Sequence, residues 1–195
     1  MKKFELTSEF ITNIFGTKLF RIKALIEFGN VKAGELGGFV EKEENLNHEG
    51  NAWVYGNAEV YGNARVYGNA SVYGNASVYG NASVYGNARV CGDARVCGDA
   101  RVYGNAWVYG NARVCDDARV YGNADYATVH GFGSEYRTTT FFKTKAGDIG
   151  VKCGCFYGNL SEFRKKVVET HGETKKAKEY LMLADLMEFR FSDNS

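Results

Sequence analysis

From Gly50 to Ala124 the hydrophobic and polar positions follow a pattern that restarts every six residues, Gly-Asn-Ala-x-Val-Tyr, without an insertion. Valine stands at 54, 60, 66, 72, 78, 84, 90, 96, 102, 108, 114 and 120, with an alanine two residues before each. A repeat this short and strict marks a solenoid. Alternate side chains of a strand face the same way, so Ala and Val share the inner side, while x and Tyr share the outer one. The Gly-Asn pair supplies residue types that accept positive φ, which lets the backbone turn a corner. Three such units would close a triangular coil whose strands pair with the coils above and below at about 4.8 Å. Twelve valines predict about four coils, a prism roughly 20 Å tall.

The flanking patterns differ. In residues 1–49, Lys3-Phe4-Glu5-Leu6 and the run from Lys18 to Ile26 alternate as strands joined by a loop around Asn13 and Gly16. Phe28-Gly29-Asn30 and Gly34-Glu35-Leu36-Gly37-Gly38 carry turn signals. An end coil exposes apolar core and unpaired strand edges, so this segment is expected to cap the solenoid. After the repeat, Tyr126 takes the place of valine, and Gly131 and Gly133 mark a turn into a second body. Strands are predicted over 137–144 and 149–156, around a Lys145-Ala146-Gly147-Asp148 turn. Asn159 with Glu162 three residues later opens a helix that buries Phe163, Val167 and Val168 and stops at His171-Gly172. A second helix runs from about Thr174, with Ala177, Tyr180, Leu181 and Ala184 on one side.

The Val-x-Gly-Asn-Ala-x spacing resembles the hexapeptide repeat of left-handed parallel β-helix proteins, a family best known for trimeric acyltransferases. The left hand is what that resemblance implies, against the usual right-handed crossover. The run FGNVKAGELGGFVEKEENL is similar to the N-terminal part of bacterial β-helix proteins described only as putative transferases. Residues 137–183, with TTTFF, VKCGCF, THG and AKEYL in order, resemble a C-terminal module of phage and prophage β-helix proteins. That likeness implies a mobile-element origin and transfers no activity.

Residues eighteen apart stack, which sorts the outward positions onto three faces. The first carries Trp53, Ser71, Arg89 and Trp107 beside Tyr55, Tyr73, Cys91 and Tyr109. The second carries Glu59, Ser77, Arg95 and Arg113 beside Tyr61, Tyr79, Cys97 and Cys115. The third carries Arg65, Ser83, Arg101 and Arg119 beside an unbroken ladder of Tyr67, Tyr85, Tyr103 and Tyr121. Stacked tyrosines can simply stabilise a sheet. They are also, with Arg and Trp, the residue types of interface hot spots, and aromatic stripes are rare on the surface of a monomer. Tyr67, Tyr85, Tyr103, Tyr121, Arg101, Arg119, Trp53 and Trp107 are therefore the candidate ligand or interface residues. Arg101 and Arg119 beside their tyrosines offer forked donors and stacking planes to a compact anion.

Charge narrows the partners. The formal net charge is +1. The arginines at 89, 95, 101, 113 and 119 are interleaved with Asp93, Asp99, Asp116 and Asp117, which argues against a phosphate-tracking groove and so against nucleic acid. There is no apolar run of membrane-spanning length and no signal-peptide core after Met1-Lys2-Lys3, so the cytoplasm, the host's if phage-encoded, is the expected location. Five scattered cysteines fit reduced thiols, with Cys97 and Cys115 close enough to bridge but read as slim replacements for tyrosine. Cys153-Gly154-Cys155 has the wrong spacing for a zinc knuckle, and no metal is expected. Proline is absent, in keeping with uninterrupted strand pairing.

β-Helix acyltransferases use a histidine base in a cleft between subunits. Here His48, His130 and His171 all lie outside the regular coils. The expectation is a mainly β protein: an N-terminal β cap (1–49), a left-handed parallel β-helix (50–130) and a small ββαα α+β module (131–195). It would act as a homotrimeric, non-enzymatic binding protein of phage type that holds a protein partner or small anionic ligand, a host-defence factor being one such partner, without a cofactor. The alternatives are an acetyl-coenzyme A-dependent acyltransferase with His130 or His171 as base, and a structural virion scaffold.

Overall fold

The computed structural model describes residues 1–132, 135 and 137–192; Gly133 of the predicted turn lies outside them. The fold is mainly β: a solenoid closed at one end by a β cap and followed at the other by a sheet with two helices.

The cap begins with an antiparallel hairpin, β1 (Phe4–Thr12) and β2 (Lys18–Ala24), longer in its first strand than the sequence pattern indicates. Its tip is held by Asn13, whose Oδ1 accepts from the amides of Phe15 and Thr17. Next comes β3 (Leu36–Val40), where the sequence signals a turn. Gly37 and Gly38 serve close approach instead. A Cβ at Gly37 would lie 2.5 Å from Ile22 Cγ1, and one at Gly38 would lie 2.6 Å from the Ala58 carbonyl oxygen. β3 pairs antiparallel with β2 and parallel with the first repeats, setting Val40 beside Val60, and Leu46 forms a parallel bridge to Val66. The cap thus supplies rungs of its own, and the solenoid reaches about five turns. Between those rungs the buried Asn45 imitates a strand edge, its Nδ2 donating to the carbonyls of Gly62 and Ala64.

The repeats form β4 (Trp53–Val54), β5 (Glu59–Val60), β6 (Arg65–Val66) and so on every six residues to β15 (Arg119–Val120). They sort into three parallel stacks with a register of eighteen residues, as in Val60↔Val78 and Val78↔Val96. Ala and Val point inward as the alternation requires, and every one from Ala52 to Val120 is fully buried. At the corners asparagine amides form ladders that all run one way. Asn51 Nδ2 donates to Asn69 Oδ1, Asn69 to Asn87 and Asn87 to Asn105, while Asn63 donates to Asn81 and Asn81 to Asp99.

The C-terminal body is a four-stranded antiparallel sheet in chain order, with β16 (Tyr126–Phe132), β17 (Arg137–Lys143), β18 (Ile149–Cys153) and β19 (Phe156–Asn159). The predicted two strands become four because Tyr126 starts a new strand and Gly154, at φ +57°, breaks the second predicted run. α1 (Leu160–His171) and α2 (Lys175–Phe191) cover one side of it. Asn159 and Glu162 form the predicted reciprocal cap, at 2.9 and 2.8 Å. α1 buries Leu160, Phe163 and Val167 but leaves Val168 exposed. β17 joins the two bodies: Phe141 packs with the helices, and its neighbour Phe142 packs into the solenoid core.

Candidate functional site

The third face is where the repeat brings its aromatic and cationic positions together. Tyr67 and Tyr85 stack with centroids 4.8 Å apart and planes 3° from parallel, and Tyr85 and Tyr103 stack at 5.1 Å and 9°. The spacing is that of the strands beneath, so the backbone sets the ring contact. Tyr121 leaves the ladder, meeting Tyr103 edge-on at 66°, and is 62% exposed. Burial among its neighbours, followed by the field of Tyr85, raises the Tyr67 phenol above its ordinary value. Arg101 is exposed beside the ladder. Arg119 is committed inward, its Nη1 donating to the carbonyls of Asp99, Asp117 and Ala118 at 3.0, 3.1 and 2.8 Å.

At the cap end of this face lies a pocket of about 580 Å³ lined by Glu43, Glu44, His48, Arg65, Tyr67 and Ser83 among others. Sequence reading missed it because Glu43 and His48 belong to no repeat. The available signal was the spacing: Leu46 to Val54 is eight residues where the repeat allows six, and His48 sits in that excess. Its imidazole is occupied on both sides. Nδ1 accepts from the Lys3 amide at 3.1 Å, Nε2 stands 3.5 Å from Glu43 Oε2, and the ring stacks on Phe4. Glu43 is held below the usual carboxylate range, first by the hydrogen bond from Lys2. This histidine fastens the cap.

The two candidate tryptophans part company. Trp53, expected outside, is 0% exposed, because the cap folds over it: Phe4 and Phe28 meet it edge-on at 6.1 and 5.3 Å. It is therefore core and no part of an outer face. Trp107, in the same stack, is 42% exposed. The second face also differs from expectation. Cys97 and Cys115 form a disulfide, since stacking places their Cα atoms 4.5 Å apart, within bridging range. The hairpin tip overhangs that face, with Ile14 and Phe15 beside Tyr61, Tyr79 and Arg95 around a pocket of about 420 Å³.

The two remaining histidines are not brought together. His130 is exposed on β16, with Nδ1 3.1 Å from Thr138 Oγ1. His171 ends α1 and stacks on Tyr180 at 5.8 Å, beside a pocket of about 240 Å³ that also reaches Cys153 and Arg137. Burial, followed by the neighbouring Cys153, pushes the Tyr180 phenol up to about 12. Among the described residues no group of three or more His, Cys, Asp or Glu is placed to hold a metal ion. No helix among them is long and apolar enough to cross a membrane.

Stacked parallel rungs with an invariant inner Ala/Val pair define a β-solenoid repeat protein. Residues 58–74, 94–110 and 112–124 match the family described as YdcK beta solenoid repeat, so within the solenoid the chain is similar to that family. Compared with curated proteins, the chain has no match.

Proposed function

We propose that this β-solenoid is a non-enzymatic binding scaffold of phage or prophage type. In this reading the coils are left-handed and of the hexapeptide kind, four of them built from repeats. Three copies assemble about the third face in the host cytoplasm, and the assembly holds a protein partner or a small anionic ligand, a host-defence factor being one such partner. The supporting observation is the stacked run Tyr67–Tyr85–Tyr103 with exposed Arg101 beside it. Rigid, preordered aromatic surface with arginine at its edge is what tight interfaces use, because little side-chain entropy is lost when it is covered. Cyclic closure satisfies one such face per subunit without leaving a copy exposed. A non-catalytic role accords with the placing of His48 at the pocket on this face, where its Nδ1 accepts from the Lys3 amide and its Nε2 faces Glu43.

Sedimentation at micromolar concentration tests the assembly. A species of three times the 21.6 kDa chain is expected, falling to the single-chain mass when Tyr85 and Tyr103 are changed to Ser. A wild-type monomer would remove the trimer. Native mass spectrometry of protein purified from its own host then tests the holding role, with a retained molecule or partner expected on the intact assembly.

A further inference from the structure

The first stack ends in two ways. At the cap Trp53 is sealed under Phe4 and Phe28, whereas at the far end Trp107 and Tyr109 remain 42% and 56% exposed. That far end is not an edge awaiting another coil. The Trp107 amide donates to Asn123 Oδ1 at 2.8 Å, and its carbonyl accepts from the Tyr126 hydroxyl at 2.7 Å, so side chains already satisfy the backbone that a further strand would use. The rings are also held in place. Trp107 Nε1 donates to Cys91 Sγ at 3.1 Å, Tyr109 leans on Trp107 at 5.5 Å and 52°, and Tyr126 meets Tyr109 edge-on. Met187 and Arg190 of α2 line, together with Trp107, Tyr109, Tyr126 and Thr128, a cleft of about 730 Å³ at this corner.

We propose that this cleft, between the last rung of the first stack and α2, binds a planar aromatic ring that carries an anionic group. Fixed aromatic faces give the ring a stacking plane at little entropic cost, and the Met187 thioether adds apolar lining. The Arg190 guanidinium supplies forked donors that match a carboxylate or phosphate. A junction between two bodies is where small-molecule clefts are commonly found. The inference stands apart from the third-face trimer, whose failure sedimentation would report separately.

The chain has two tryptophans, one buried and one exposed, so fluorescence quenching reads Trp107 in the intact protein. Adenosine 5′-monophosphate and indole-3-acetate supply the ring with an anion, the second read by calorimetry alone because its own indole fluoresces; adenosine lacks the anion and ribose 5-phosphate lacks the ring. Calorimetry on the same samples checks each titration. A saturable response to at least one ring-bearing anion is expected below about 1 mM. Binding should weaken by roughly ten-fold or more in Arg190→Gln, as expected for loss of a charge-assisted pair. It should weaken comparably when adenosine or ribose 5-phosphate replaces the nucleotide. Calorimetric binding should likewise fall in Trp107→Leu, with the circular dichroism of both variants unchanged. Absence of saturation with both ring-bearing anions overturns the proposal. So does binding that Arg190→Gln and Trp107→Leu leave intact, or adenosine binding as tightly as its monophosphate.

Discussion

Lys3 is taken out of water by the cap, its ammonium donating to the carbonyls of Gly50 and Ala52 at 3.2 and 2.9 Å with the ring of Phe28 beneath. Burial lowers its pKa from 10.5 to about 8. The folded state therefore gives up this proton before the unfolded state does, and the penalty for burying the charge is present in full below pH 8. Stability should rise as pH climbs from about 8 toward 10.5, by on the order of 1–3 kcal/mol. The denaturant midpoint of the wild type should rise across that range relative to that of Lys3→Met. Asp116 is a second residue out of its preferred state. It holds φ 57° at the corner where every other unit from Gly50 to Gly110 has glycine. Asp116→Gly should gain roughly 0.5–1 kcal/mol, a few degrees in thermal midpoint for a chain of this size. Asp116 was legible as a departure from the repeat, whereas Trp53 and Trp107 were not separable by sequence. They occupy equivalent repeat positions, and what divides them, Phe4 and Phe28 on one and side-chain caps on the other, lies outside the repeat.

Among the elements, the two-residue rungs and the helix boundaries could be read directly, because inner Ala/Val pairs and an Asn-x-x-Glu cap are short-range signals. β3 could not, since its two glycines look like a turn until Ile22 and Ala58 are seen pressed against them. The disulfide lies between these cases: stacking placed Cys97 over Cys115, and the default toward reduced thiols decided wrongly. It closes an eighteen-residue loop between neighbouring rungs. By loop entropy that is worth up to about 3 kcal/mol. Dithiothreitol should lower the denaturant midpoint of the wild type accordingly and leave Cys97→Ser/Cys115→Ser unmoved. Thiol titration of freshly isolated protein should find three free cysteines, Cys91, Cys153 and Cys155.

At the scale of the molecule the described residues form two cores, and β17 belongs to both. Phe141 serves the helical body and Phe142 the solenoid, while Thr140 Oγ1 accepts from the Arg113 amide between them. Phe142→Ala should cost about 3–5 kcal/mol and split unfolding into a helical transition and a later loss of Trp53 signal. Phe141→Ala, which leaves Phe142 in the solenoid core, should lower the midpoint of both signals together. Far-ultraviolet dichroism against tryptophan emission separates the two. None of this coupling was visible in sequence, where two adjacent phenylalanines in a predicted strand only imply opposite sides.

The one-way asparagine ladders make length an independent variable of this protein. Each amide passes a hydrogen bond upward, and the carboxylates of Asp93 and Asp99 can accept one but not pass it on, so they fit where a ladder stops. A block copied from residues 65–82 carries only asparagine at these corners and can be inserted in tandem below them. Each inserted copy should separate the His48 pocket from the Trp107 cleft by a further 4.8 Å or so, one strand spacing. Scattering profiles of a series with one, two and three copies should lengthen in equal steps, which would make the chain a molecular ruler graduated by its own sequence.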